Sequence, residues 1–284
     1  MFEMLMNPRK GERHPWELFF VGIFYASLSI LLVSWIFSKD PVLARYSGIL
    51  IVTFTVMFSM PFMYYTIKLE EKKVGTLGTW GLLKEHEKAI KAFMWLFLGF
   101  VVALSFWYIV LPSPDNFRAQ VETYCAINRP GSFDNCIEQY GLKQDSKATG
   151  FITSSERLFV IFTNNIYVLI FTLVFSLIFG AGAIFILAWN ASVIAGAIKI
   201  FSGAGLSALP YNLARYMIHG IPEIAAYFVA ALAGGIVSVA VIRHEFGTPK
   251  FWEVLQDSLN LIIAAILILF LAALIEVFVT PAIF

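Results

Sequence analysis

Two glutamates, one histidine and three asparagines stand in or beside stretches apolar enough to lie in hydrocarbon: Asn164, Asn165, Asn190, His219, Glu223 and Glu276. An ionisable group at the centre of a bilayer costs about 2.5–3.5 kcal/mol on insertion scales, so such groups are functional candidates by default. His219 and Glu223 are four apart, a spacing that puts two ligands or a proton-relay pair on one face of a continuous helix. A pair of carboxyl groups can carry a proton. His219, Glu223 and Glu276 together could hold a divalent metal ion, although a zinc site usually draws on more His or Cys. An asparagine side chain both donates and accepts, which suits it to bridging helices or capping broken helix ends.

Each group also has a plainer role. Gly220 and Pro222 argue for a helix that begins near Ile221-Pro222, which makes Glu223 a helix-start carboxylate and His219 a residue holding the turn before it. Asn190 follows Trp189 as a natural helix terminus. Glu276 could reach headgroups, but its flanks, Ile275 and Val277 to Val279, are apolar on every side. That favours a carboxylate facing the bundle and bonded to an asparagine or to His219. The chain has no phosphate-binding Walker loop, no nucleophile elbow and no His-Glu-x-x-His.

These residues must be positioned by membrane helices. Of 284 residues, 59% are apolar and 14% charged, with a mean hydropathy of +0.78. A soluble domain carries roughly 25% charged residues, so the balance is that of a polytopic membrane protein, and nothing offers the basic face that nucleic acid requires. The expected fold is all-α, with six spans plus a re-entrant half-helix, or seven spans.

In chain order, Trp16 to Phe37 and Ser47 to Ile67 form a two-span hairpin, Pro61 lying in the second. Lys68 to Lys91 is the most basic connector, which makes it cytoplasmic by the positive-inside rule and puts the N-terminus on the same side. Leu82, Leu83, His86, Ile90 and Phe93 recur at helical spacing, as in a segment lying along the interface. Ala92 to Leu111 is the third span. Residues 112–157 form an external loop suited to a cap or lid, and its two cysteines, Cys125 and Cys136, suggest a disulfide on the oxidising side. Closing such a loop contributes on the order of 3 kcal/mol.

From Leu158 the chain stays uncharged to Ile198. Leu158 to Trp189 reads as the fourth span, loosened by Gly180-Ala181-Gly182. Asn190 to Ser202 is short for a crossing and is expected to be a half-helix, with a tilted full crossing as the alternative that puts Arg243 and Lys250 on the cytoplasmic side. Pro222 to Ile242 and Ser258 to Val279 are the last spans. Ala226, Ala230, Gly234 and Ser238 make a small-residue stripe for close helix packing.

Phe162-Thr163-Asn164-Asn165, Gly180-Ala181-Gly182, Trp189-Asn190 with Gly196, Leu209-Pro210, His219-Gly220-Ile221-Pro222-Glu223 and Leu274-Ile275-Glu276-Val277-Phe278-Val279-Thr280-Pro281 resemble the stage II sporulation protein M family of polytopic membrane proteins. The resemblance covers about residues 88–284 and leaves 1–87 as an added two-span hairpin. It departs from the family pattern where a stretch separates Leu209-Pro210 from His219-Gly220. The resemblance implies a cell-membrane location and, from the family's namesake, a scaffold working with peptidoglycan-degrading partners.

The leading expectation is a non-enzymatic membrane scaffold or remodelling component with a buried polar cluster, partnered by the lipid bilayer and by a second copy through its small-residue faces or by another membrane protein. An ion- or proton-coupled transporter or channel using His219, Glu223 and Glu276 comes second. A metal-dependent intramembrane hydrolase comes third. No motif demands a cofactor, and a divalent metal ion is the one the cluster could take.

Overall fold

The computed structural model describes residues 11, 13–37, 40, 43–70, 83–84, 86–111, 117–128, 135–136, 154–179, 184–201, 209–243 and 247–283. Among them every regular element is helical: α1 (Glu17–Phe37), a 3₁₀ turn (Leu43–Tyr46), α2 (Ser47–Glu70), α3 (Glu87–Val110), α4 (Arg118–Asn128), α5 (Ser154–Phe179), α6 (Ile184–Phe201), α7 (Leu209–Ile242) and α8 (Pro249–Leu274). The last helix continues through a π turn, Ile275–Val279, into a final turn, Thr280–Ile283. Six helices are long and apolar enough to cross a bilayer, and α6 is a shorter apolar helix. The chain is an all-α membrane protein.

Local chemistry sets the helix starts. The Asp40 carboxylate accepts from the Leu43 amide at 3.0 Å, opening the turn that leads into α2. Thr248 caps α8 by accepting from the Phe251 amide at 3.2 Å, with Pro249 in the first turn, where its missing N–H costs nothing. Gly247 just before it has φ 80°, the left-handed backbone that glycine adopts without strain.

Side-chain contacts fix the direction of each helix. Gly22 meets Gly99, and Trp107 donates to Ser27 at 2.9 Å, so α1 and α3 run parallel. Phe62 packs edge-on against Phe93 near the opposite end of the bundle from Gly48, which meets Gln120 of α4. Asn165 touches Glu223, and Ser176, eleven residues on in α5, donates to the Ala231 carbonyl of α7. So α5 and α7 also run parallel. Ser258 bonds the Ala233 carbonyl and Thr280 meets His219, which makes α8 antiparallel to α7. The central helix is α7: 89% of its most apolar window is buried inside the protein, against 17% for α5. Phe228 stacks on Phe93 at 5.1 Å and meets Phe97 edge-on, so the first three helices join the rest in one core.

Four expectations change. The fourth long helix ends at Phe179 rather than Trp189, and α6 starts at Ile184; Gly180-Ala181-Gly182 lies outside the described residues. Asn190 is therefore inside α6, not at a terminus, and its side chain donates to its own helix at the Ile186 carbonyl, 2.7 Å away. With 18 residues α6 is about 27 Å long, close to the thickness of a hydrocarbon core. The parallel course of α5 and α7 requires it to return the chain from one end of the bundle to the other. Near its end Lys199 reaches the Tyr108 carbonyl at 3.0 Å, and Gly196 lies under Gln120. The contacts thus favour the full-length return over the half-helix.

The third change is at Pro222, which lies inside a continuous 34-residue helix rather than at a helix start. Its missing N–H frees one carbonyl a turn earlier, a loss that helices in membrane bundles tolerate. The fourth concerns His86, which does not lie along an interface but is buried at the start of α3, with Nδ1 2.6 Å from the Glu70 carboxylate. Leu82 is outside the described residues.

The small-residue stripe of α7 is occupied within the chain. A Cβ on Gly234 would stand 2.7 Å from the Leu173 carbonyl oxygen of α5. A homodimer would therefore need a different face. A closer crossing, absent from the sequence reading, joins α1 to α3: a Cβ on Gly99 would lie 2.3 Å from the Phe19 carbonyl oxygen, and one on Gly22 2.4 Å from that of Leu96. Gly99→Ala should cost about 1–3 kcal/mol through this overpacking. In contrast Gly220→Ala, whose Cβ would meet only Met217 at 3.6 Å, should leave stability unchanged or slightly raised. Thermal unfolding of the two variants in detergent checks the difference.

Candidate functional site

The helical repeat gives α7 one polar face. Tyr216, His219, Glu223 and Tyr227 follow at three- and four-residue intervals, and α7 is continuous through them. This face looks toward α5 and the end of α8. On α5, Asn165 is buried, and its Nδ2 donates to Glu223 Oε1 at 2.6 Å. This bond supplies a donor to a carboxyl group that hydrocarbon would otherwise leave without one. Tyr227, one turn further along α7, is fully buried.

Glu276 comes from the π turn. The Thr280 amide bonds the Ile275 carbonyl five residues back, and the Thr280 hydroxyl bonds the same oxygen at 3.2 Å. Pro281 follows and has no N–H to give. The carbonyl of Glu276 therefore lacks the amide partners that the fourth and fifth residues after it would ordinarily provide. The wide turn also rotates Glu276 relative to an uninterrupted α-helix, and single π turns of this kind occur often at functional sites. The charge of Glu276 acts on Glu223, on Tyr227 and on Tyr216, so these groups share one neighbourhood. His219 Nδ1 stands 3.3 Å from the Thr280 hydroxyl, which ties α7 to the last turn of the chain.

Four of the six sequence candidates thus fall in one neighbourhood: Asn165 and Glu223 in contact, Glu276 near enough for its charge to act on Glu223, and His219 tied through Thr280 to the turn after Glu276. Asn164 does not join them through a hydrogen bond among the described residues; it sits about 100° round α5 from Asn165. Asn190 bonds within α6. His219 bonds Thr280 rather than either acid. Among the described residues no group of three or more His, Cys, Asp or Glu is arranged to hold a metal ion. What lies in this neighbourhood is mainly oxygen: two carboxyl groups, an asparagine amide and a threonine hydroxyl. Hard cations and protons suit such donors, whereas zinc favours nitrogen and sulfur.

Three contributors escaped the sequence reading. Tyr216 and Tyr227 look like ordinary apolar-face aromatics until the unbroken helix puts them in line with Glu223. Thr280, beside Pro281, looks like a chain-end residue. The π turn was hidden for the same reason, since its only local signal is a proline at Pro281.

A family model described as Stage II sporulation protein M matches residues 92–281. The chain belongs to the stage II sporulation protein M family. Every residue of the polar cluster lies inside the matched region, while α1 and α2 precede it. An uncharacterized protein of Methanocaldococcus jannaschii is 31% identical over 129 residues, covering 43% of this chain and 70% of that protein. No solved structure matches.

Within this family member, the Asn165–Glu223 bond should appear as a coupling energy. A double-mutant cycle of Asn165→Ala and Glu223→Gln, read by unfolding in detergent, should give about 0.6–1.7 kcal/mol, the range for interhelical hydrogen bonds in membranes. Additive effects would place the two side chains apart.

Proposed function

We propose that this stage II sporulation protein M family member binds a hard cation or a proton at the cluster between α5, α7 and α8, and acts as an ion- or proton-coupled membrane protein of transporter or channel type. The observation that carries this reading is the 2.6 Å bond from Asn165 to Glu223, with Glu276 brought to the same neighbourhood by the π turn. Two acids are brought together inside a bundle, and among the described residues neither forms a salt bridge with Lys or Arg, although the charge of Arg157 on α5 acts on Glu276 from a distance. A cation or a shared proton would meet that demand. Helices with broken hydrogen bonding that expose carbonyl groups beside acids serve the same purpose in many transporters.

The sidedness proposed with it follows the positive-inside rule. Ile67 packs against Gly235, so the α2 end that carries Lys68 and the α7 end that carries Arg243 share one face of the bundle. That face would be cytoplasmic, with the N-terminus there too. Seven crossings, α6 included, then place α4, Cys125, Cys136 and the C-terminal turn outside. In this reading residues 1–87 remain a hairpin added to the family domain, and the pairing of Cys125 with Cys136 is a disulfide of the oxidising side.

The scaffold reading draws on the outward face of α5, where Phe159, Tyr167, Phe171 and Ile178 are each more than half exposed. Lipid or another membrane protein could cover that face. A partner that co-purifies with the wild type and is lost with Tyr167→Ala/Phe171→Ala would favour it.

The deciding experiment is flux in proteoliposomes. Proton and monovalent- and divalent-cation flux should fall to that of empty vesicles in Glu276→Gln and Glu223→Gln, and should persist in Glu87→Gln at the far end of α3. Flux absent from the wild type, or unchanged in both variants, contradicts the reading.

A further inference from the structure

The polar column on α7 does not stop at Tyr216. Its hydroxyl lies 3.4 Å from that of Tyr124, a residue of α4. Toward the cluster, the Tyr216 ring lies 6.1 Å from that of His219, and the charge of Glu276 acts on it. Tyr216 therefore stands between α4 and the His219 side of the cluster.

Three further contacts seat α4 across this end of the bundle. Phe117, just before α4, stacks on Tyr108 of α3 at 3.9 Å. Gln120 is fully buried and donates to the Gly48 carbonyl at 3.0 Å, at the start of α2. Lys199 holds the same corner from α6, donating to the Tyr108 carbonyl. The residue after Tyr124 is Cys125, which is joined to Cys136 with a Cα–Cα distance of 5.9 Å. Both sulfur-bearing side chains are buried, and so is Tyr124. The cross-link is thus immediately beside the tyrosine that meets α7.

We propose that α4 is a fastened cap over the polar cluster, in which the Tyr124–Tyr216 contact closes the approach to Glu223 and Glu276 and the Cys125–Cys136 link keeps Tyr124 seated. It rests on the reading that something enters the cluster, and it adds the route and the two residues that bar it. Tyr124 and Tyr216 are positioning residues here, since neither need touch the ion. α4 is a single eleven-residue helix at one end of the bundle, seated by Phe117, Gln120, Val121 and the hydroxyl pair, so it can lift as one unit while the long helices stay packed.

The test reads chemical access rather than flux, so it fails separately from the proposed function. Native protein in nanodiscs is treated with a water-soluble carbodiimide and glycine ethyl ester, and amide formation at Glu223 and Glu276 is followed by peptide mass spectrometry. The exposed Glu87 serves as the reference. Labelling is compared before and after treatment with dithiothreitol, which gives two electrons and two protons to the disulfide, yielding two thiols and leaving the reagent as a cyclic disulfide. Cys125→Ser/Cys136→Ser and Tyr124→Ala provide the same comparison without reductant, and Tyr124→Phe keeps the ring while removing the hydroxyl. Labelling of both acids should rise about tenfold on reduction, in the double serine variant and in Tyr124→Ala, with Glu87 unchanged. Rates within about twofold of the untreated protein in all three would overturn the proposal. So would a parallel rise at Glu87, because that would mean general loosening of the bundle.

Discussion

A carboxylate inside a helix bundle must find donors there, because lipid offers none. That constraint organises the second half of this protein. Glu223 is at the middle of the most buried helix, and its donor comes from Asn165 on a helix that runs beside it in the same direction. For two neighbouring helices to be parallel, the chain between them has to cross back. The length and course of α6 are what that return requires. A single 2.6 Å bond thus depends on the path of the whole region between Ser154 and Ile242, and in turn helps to hold that path.

The same constraint acts at the end of α8. Thr280 sends its amide and its hydroxyl to one carbonyl, and Pro281 supplies no further donor, so the backbone opens at Glu276. The helix gives up regular hydrogen bonding at Glu276, whose charge acts on Glu223 of α7. Close helix approach makes this arrangement compact: Gly234 lets α5 come within contact of α7, and Gly22 with Gly99 does the same for α1 and α3. The first two helices, though outside the region matched by the family, are packed into the common core through Phe62, Phe93 and Phe228. Stability and the polar site are therefore built from the same contacts.

Apolar runs bounded by charge made the long helices legible in the sequence, and the rule that buried acids need partners singled out Asn165, Glu223 and Glu276. The sequence misled where two local signals competed. Pro222 resembles a helix start, yet tertiary packing carries α7 straight through it, and this changes His219 and Glu223 from flanking residues into members of one face. Asn190 resembles a terminus, yet it lies inside a helix that begins at Ile184, and its amide is spent on the Ile186 carbonyl. The π turn had no periodic signature, since it differs from an α-helix by one hydrogen bond. The buried Glu70–His86 pair could not be read either, because its partners flank a basic connector and meet only when α2 and α3 fold together.

The account turns on the side chain of Asn165 being bonded to that of Glu223 within the folded bundle. Solid-state NMR on bilayer-reconstituted protein, with ¹⁵N in asparagine side chains and ¹³C in glutamate carboxyl groups, measures this contact directly. The account predicts dephasing of the Glu223 carboxyl signal by a nearby nitrogen, and its loss in Asn165→Leu. An undephased Glu223 carboxyl, or dephasing that survives the Asn165 substitution, would contradict it.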